Sequence, residues 1–164
     1  MQTQLPAVPG SWPVFHFNRI IPMNAVSDPK VLLVANQIEE LVRVETFLEE
    51  LSESWDLPVQ LVFSLNLVIE EALANIISYG YDDQGRHEIR MEFAREGSDL
   101  LLTIIDDGHE YDPTLKMDPD INLTVEERPV GGLGIFLIKK IMDRVEYQRK
   151  DNKNHLILTK NIES

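Results

Sequence analysis

Not one of the 164 residues is cysteine. Disulfides and thiolate metal sites are therefore excluded, and the composition fits a reducing compartment, so a cytoplasmic location is expected. Positive charge is scarce too. Lys and Arg number 15 against 28 Asp and Glu, a formal net charge of −13. A surface of that sign repels nucleic acid, so no nucleic-acid role is expected. An anionic ligand would have to be held at short range, by helix amino termini and a few placed cations. No uninterrupted apolar run approaches the roughly 20 residues of a membrane span, and no basic leader precedes an apolar stretch near the amino end. Neither a membrane partner nor a signal peptide is expected.

What is present suits one soluble domain with one core: 43% hydrophobic and 26% charged residues. Residues 1–29 hold five of the nine prolines and little charge, and read as an irregular arm or extra edge segment. Residues 30–164 read as the folded domain. Lys30–Ala35 is a short β-rich run. Asn36 is placed to cap a helix running to about Ser54. Asp56–Tyr79 reads as a long helix with Pro58 in its first turn. Glu88–Arg95 and Leu100–Asp106 read as paired strands around Glu96-Gly97-Ser98-Asp99. His109–Val130 has three prolines and no clean period, the pattern of a loop or lid. A helix follows from about Leu133 to Asp143, and Arg144–Arg149 with His155–Asn161 form a closing hairpin around Asp151–Asn154. Helices first, then strands, with one late helix, predict a sheet covered by helices on one face.

Three segments carry chemistry. On the long helix, Val62, Leu65, Ile69, Ala72, Leu73 and Ile76 fall on one arc, the core face. Ser64, Glu71, Asn75 and Ser78 form a narrow stripe roughly opposite. Glu71 and Asn75 are i and i+4, so the two can meet. The amide oxygen can bind a hydrated cation, and the carboxylate can take a proton from a hydroxyl. Glu70 lies about 100° away around the same helix, and reads as flanking surface. Next, Leu100–Ile105 ends in Asp106-Asp107-Gly108, an acceptor at the end of a buried strand followed by glycine. Last, Val130-Gly131-Gly132-Leu133-Gly134 leaves backbone amides unshielded at the start of a helix, an arrangement able to cradle phosphates. Each segment also has a plain reading: a solvated stripe, a β-turn, a packing hinge.

The order is what discriminates: E-x-x-x-N on a helix, D-x-G after a strand, then a lid and G-x-G before a helix. It resembles the Bergerat-fold (GHKL) ATPases of gyrase, heat-shock chaperone, histidine kinase and mismatch-repair type. Glu71-Ala72-Leu73-Ala74-Asn75 followed by Gly80-Tyr81, Asp106-Asp107-Gly108 followed by Tyr111-Asp112-Pro113, and Arg128-Pro129-Val130-Gly131-Gly132-Leu133-Gly134 resemble the anti-sigma-factor serine kinases. The resemblance covers about Val31–Lys160. It implies an α+β two-layer sandwich, a mixed and mostly antiparallel sheet with helices on one face. It implies ATP and Mg²⁺, with Asn75 as metal ligand, Glu71 as general base and Asp106 as acceptor for the adenine amino group. Gly108, Gly131, Gly132, Leu133 and Gly134 would lie along the nucleotide, and Arg128 would reach the terminal phosphate. The implied reaction phosphorylates a serine of a small anti-anti-sigma-type partner, a sigma factor is a second implied partner, and a homodimer is compatible with the family. The alternative is a non-catalytic module that grips a regulatory partner in a nucleotide-dependent way. Two positions depart from the family pattern: Tyr79 stands where many members have histidine, and Glu110 stands where a second glycine is common.

Overall fold

A computed structural model describes residues 28–117 and 133–163. Five strands form one sheet in the order β1-β2-β3-β5-β4. They are β1 (Lys30–Ala35), β2 (Glu88–Glu96), β3 (Asp99–Asp106), β4 (Arg144–Lys150) and β5 (Lys153–Asn161). Every pairing among the described residues is antiparallel, so the expected sheet is realised without a parallel pair there. Three helices, α1 (Leu41–Trp55), α2 (Val59–Tyr79) and α3 (Leu133–Ile141), share the core with the sheet.

The hairpins are tight because their turns have the right residues. Gly97 takes φ 62° between Glu96 and Asp99, a two-residue connection. Asp151 and Asn152 both take positive φ, 52° and 60°, between the paired Lys150 and Lys153. Asp and Asn tolerate that region, and it matches the twist of the strands. The second turn is thus shorter than the expected Asp151–Asn154, and Asn154 belongs to β5.

Alternation sets the core. Ile89, Met91 and Phe93 of β2, Leu100, Leu102 and Ile104 of β3, and Leu156 and Leu158 of β5 are buried on one face. Against them pack Val44, Leu48 and Leu51 of α1, spaced to lie on one stripe. From α2 come Leu61, Leu65, Val68, Ile69, Ala72 and Leu73. The buried arc of α2 is wider than expected, since Leu61 and Val68 join it while Val62 and Ile76 sit at its margin. The Glu71–Asn75 stripe therefore borders the buried arc instead of opposing it, and both residues are half-buried, whereas Glu70 is exposed. By length and hydropathy α2 could cross a membrane; its apolar arc is instead spent on the sheet and α1. Truncating a fully buried residue such as Leu65 or Ile69 to alanine costs about 2–5 kcal/mol in sites of this kind.

Two boundaries differ from expectation. Asp56 takes φ 49° and ends α1, so α2 starts after Pro58. Asn36 caps no helix; its side chain donates to Gly85 O at 3.2 Å and accepts from His87 N at 2.9 Å, pinning the loop before β2 to the end of β1.

Candidate nucleotide site

A cavity of about 600 Å³ opens between the carboxyl half of α2, the turn after β3 and the paired ends of β5 and β4. Ala72, Asn75, Ile76 and Tyr79 form its α2 wall; Asp106, Asn154, Leu156 and Tyr147 form the sheet wall. His109, Glu110, Tyr111, Pro113 and Lys116 close it from the segment after β3, and Ile135 from α3.

The sheet wall is a row set by register. Asp106 faces Asn154 across β3 and β5, and Asn154 faces Arg149 across β5 and β4. The inward alternation that buries Ile104 and Leu156 thus continues into polar residues at the sheet's end. Asp106 is 5% exposed and Asn154 7%. Asp106 Oδ1 accepts from Gly108 N and from Asn154 Nδ2, both at 2.9 Å. Both bonds converge on one oxygen, and among the described residues Oδ2 accepts no hydrogen bond. Burial pushes the Asp106 carboxyl above the usual range; the bonds from Asn154 and Gly108 pull it down, and the neighbouring Asp107 pushes it up again.

The helix wall is different. Asn75 Nδ2 donates back to Glu71 O at 2.9 Å, so the amide ties to the helix instead of to the Glu71 carboxylate. Its oxygen accepts no hydrogen bond from the described residues. The Glu71 carboxylate accepts no hydrogen bond from the described residues. A Cβ on Gly134 would collide with Glu71 Oε2 and come within 3.4 Å of Asn75 Nδ2. Any larger residue at 134 would displace the Glu71 carboxylate, so glycine lets the first turn of α3 approach this pair with Glu71 in place, and the positive end of that helix then faces it.

Of the expected site residues, Asn75 and Asp106 line the cavity, while Glu71 and Gly134 meet at its α2–α3 edge. Gly108 has a reason of its own: a Cβ there would lie 2.5 Å from Gly80 O and 2.8 Å from Asp106 Oδ1. It serves the approach of the α2 exit to this turn. Leu133 begins α3 and is 55% exposed. Arg128, Gly131 and Gly132 lie outside the described residues. Tyr79 lines the cavity in place of a histidine, and Glu110 adds a carboxylate to its wall.

Asn154, Tyr147, Arg149 and Lys116 were not singled out by sequence reasoning. A signal existed for three of them. Once the Asp151-Asn152 turn fixes the register, period-2 alternation puts Asn154 and its neighbours on the core face.

A clasp joins the two walls. His109 N donates to Gly80 O at 2.8 Å, and His109 Nε2 lies 2.9 Å from Asp82. His87 is held between Asp83 (2.8 Å) and Asp107 (3.1 Å) and stacks on Tyr81 at 4.0 Å. The Tyr81 hydroxyl is buried near Asp106 and Asp107, and burial first, then those carboxylates, push its titration well up.

Residues 34–160 match the family described as Histidine kinase-like ATPase domain. The chain is 33% identical over 109 residues to the Serine/threonine-protein kinase BtrW of Bordetella bronchiseptica, covering 66% of this chain and 75% of that one. It is 32% identical over 104 residues to the Serine-protein kinase RsbW of Bacillus cereus, covering 60% and 63%. The match thus spans less than two thirds of the Bacillus relative. Among solved structures, the RsbU and RsbW domains of Rv1364c from Mycobacterium tuberculosis superpose with a TM-score of 0.58 at 14% identity, over 83% of this chain and 33% of that one. That likeness establishes the fold.

Proposed function

The chain belongs to the histidine kinase-like ATPase family, and from that premise we propose that it binds ATP with Mg²⁺ and phosphorylates a serine of a small anti-anti-sigma-type regulatory protein. One observation carries the reading. The cavity has the buried Asp106 carboxylate at one end and the Asn75 amide at the other, with the Glu71 carboxylate and the first turn of α3 meeting at its edge.

In this reading Asp106 accepts from the adenine amino group. The α3 amino terminus faces the phosphates, with Gly131, Gly132 and Arg128 as further contacts. Asn75 would hold Mg²⁺ through its free amide oxygen, the remaining positions being filled by phosphate oxygens and water. The ion would neutralise charge on the transferring group. Glu71 accepts the proton of the substrate serine as its oxygen bonds to the γ-phosphorus; the bond from that phosphorus to the β,γ-bridging oxygen breaks, and ADP leaves. The names of BtrW and RsbW, both serine kinases, support the reaction class. A sigma factor as second partner, a homodimer and a cytoplasmic location complete the proposal.

The rival is a module that grips its partner with nucleotide but transfers nothing; Glu110 on the cavity wall, a carboxylate that opposes an anionic ligand, favours weak nucleotide binding in either case. Calorimetric titration with ATP, with and without Mg²⁺, followed by transfer of labelled phosphate to a purified anti-anti-sigma-type protein, separates the two. Binding that needs Mg²⁺, followed by label on serine, is expected. Binding without label would leave the rival standing, and no binding would sink both.

A further inference from the structure

We infer that Asn154 is the positioning residue of the adenine end: its amide, locked by Tyr147 and Arg149, fixes Asp106 as a hydrogen-bond acceptor and so sets the preference for a purine bearing an amino group over one bearing a carbonyl. The inference rests on the ATP-binding reading above.

Every hydrogen-bonding position of this amide is used. Asn154 Nδ2 donates to Asp106 Oδ1 at 2.9 Å and to His109 O at 2.7 Å. Asn154 Oδ1 accepts from Tyr147 Oη at 2.8 Å and Arg149 Nη1 at 2.9 Å, with Tyr111 N at 3.5 Å. The alternative orientation of the amide would set an NH₂ group against a guanidinium and an oxygen against a carboxylate. The surroundings therefore determine which way Asn154 faces. Arg149 also donates to Gly108 O at 2.8 Å, so the same guanidinium holds both the amide and the turn that follows Asp106.

The consequence for Asp106 is electrostatic. Burial disfavours its charge, and so does Asp107 beside it; Asn154, Gly108 N and Arg149 favour it. Tyr81, near both carboxylates, stays protonated. Lacking the Asn154 donor, Asp106 would take up a proton at a higher pH. A protonated carboxyl can donate, and it would no longer reject a carbonyl at the purine six-position.

The test compares ATP with inosine triphosphate, which carries a carbonyl where ATP carries the amino group, by calorimetry between about pH 5.5 and 8, a range above the free carboxyl value. For the unaltered protein, ATP should bind more tightly, with little pH dependence. Asn154→Leu should weaken ATP binding roughly tenfold or more, the effect of losing a hydrogen bond to a charged group. It should also narrow the preference over inosine triphosphate and make ATP binding fall toward the acid side. Arg149→Met should move both readouts the same way by less, and Asn154→Ser, which restores one donor, should recover part of the loss. If Asn154→Leu does not give a cooperative melt, Arg149→Met carries the same comparison. Equal weakening of both nucleotides with parallel pH profiles would overturn the inference, since a merely structural role does that; so would unchanged binding. Should the unaltered protein not bind ATP, or Asp106→Asn bind it equally well, the site reading itself fails and takes this inference with it.

Discussion

The two ends of the cavity are built by opposite means. At the proposed adenine end three strands bring Asp106, Asn154 and Arg149 into one row, and their polar groups are wired together. At the proposed phosphate end two helices bring Glu71, Asn75 and Gly134 together, and the Glu71 carboxylate is left without a donor among the described residues. A sheet register fixes positions to within a hydrogen bond, which suits recognition of a rigid base. A helix stripe whose carboxylate has no donor among the described residues suits proton transfer, because a base already saturated with donors is a poor one. The wired end should govern affinity and the unwired end should govern rate.

The largest expected effect tests the rate half. Glu71→Gln keeps the shape and removes the base, so phosphoryl transfer should fall by about 10²–10⁴-fold while ATP affinity stays near its starting value. Glu70→Gln, on the exposed side of α2, should change neither. Single-turnover transfer beside calorimetric binding decides it; equal losses from the two changes would mean that helical phase does not assign the base.

Asp106→Asn is the mirror experiment at the wired end. It replaces the acceptor by an amide facing the amide of Asn154, and ATP affinity should fall by about 1.5–3 kcal/mol or more, the scale of a hydrogen bond to a charged group. Melting should persist, because Leu102, Ile104 and Leu158 beneath it are untouched. Unchanged affinity would erase the distinction between the two ends.

How legible these ends were in the sequence follows from the same contrast. The helix end could be read, because i, i+4 geometry is local and Glu71 and Asn75 are close in the chain. Asp106 could be read from its place at the end of an apolar run. Asn154 could not be read as a partner of Asp106, since the two are 48 residues apart and meet only through β3–β5 pairing. Taking Asp151–Asn154 as a four-residue turn hid it further, and the positive φ of Asp151 and Asn152 is what shortens that turn to two. The strands, three helices and both hairpins followed from periodicity and turn residues. Asn36 was misassigned because a cap residue beside a strand end can equally bond to a distant loop, as it does to Gly85 and His87.

A smaller effect is expected from Arg128, which lies outside the described residues and is the cation the family resemblance offers to the terminal phosphate. Arg128→Ala should cost about 1–3 kcal/mol of ATP affinity if its charged hydrogen bond is made. Arg144→Ala, at the start of β4 and only loosely paired with Glu146 at 3.9 Å, is the matched control. With a net charge of −13, general attraction cannot stand in for either arginine. If the two variants titrate alike, the phosphate end takes no cation from that segment.

The smallest expected effect concerns the clasp that ties the α2 exit to the Asp106 turn. His87 titrates above its ordinary value, chiefly because Asp83 bonds to its ring, with Asp107 adding to the rise and burial opposing it. Asp83 titrates below its ordinary value for the reciprocal reason. A histidine raised on folding contributes stability that is fully present below about pH 6.5, its unfolded value, and lost as pH rises through the folded value. The Asp83 contribution is present above about pH 4 and lost as pH falls from there. The clasp should therefore weaken as pH rises above about 6.5 and through the raised folded value of His87, and thermal melts on that alkaline side should show a decline that His87→Gln abolishes. Asp143, lowered chiefly by the backbone bond from Asn161, behaves as Asp83 does, and two further groups act on the acid side. Asp106, raised by burial, becomes less costly to keep as pH falls through its folded value, and His155, lowered mainly by burial, contributes above about pH 6.5 and loses that contribution below it. Subtracting the His87→Gln curve removes both. A difference curve that is flat on the alkaline side would mean that the ring between Asp83 and Asp107 carries no extra proton, and that the α2 exit is tied to the Asp106 turn by the His109–Gly80 backbone bond and the Gly108 contact instead.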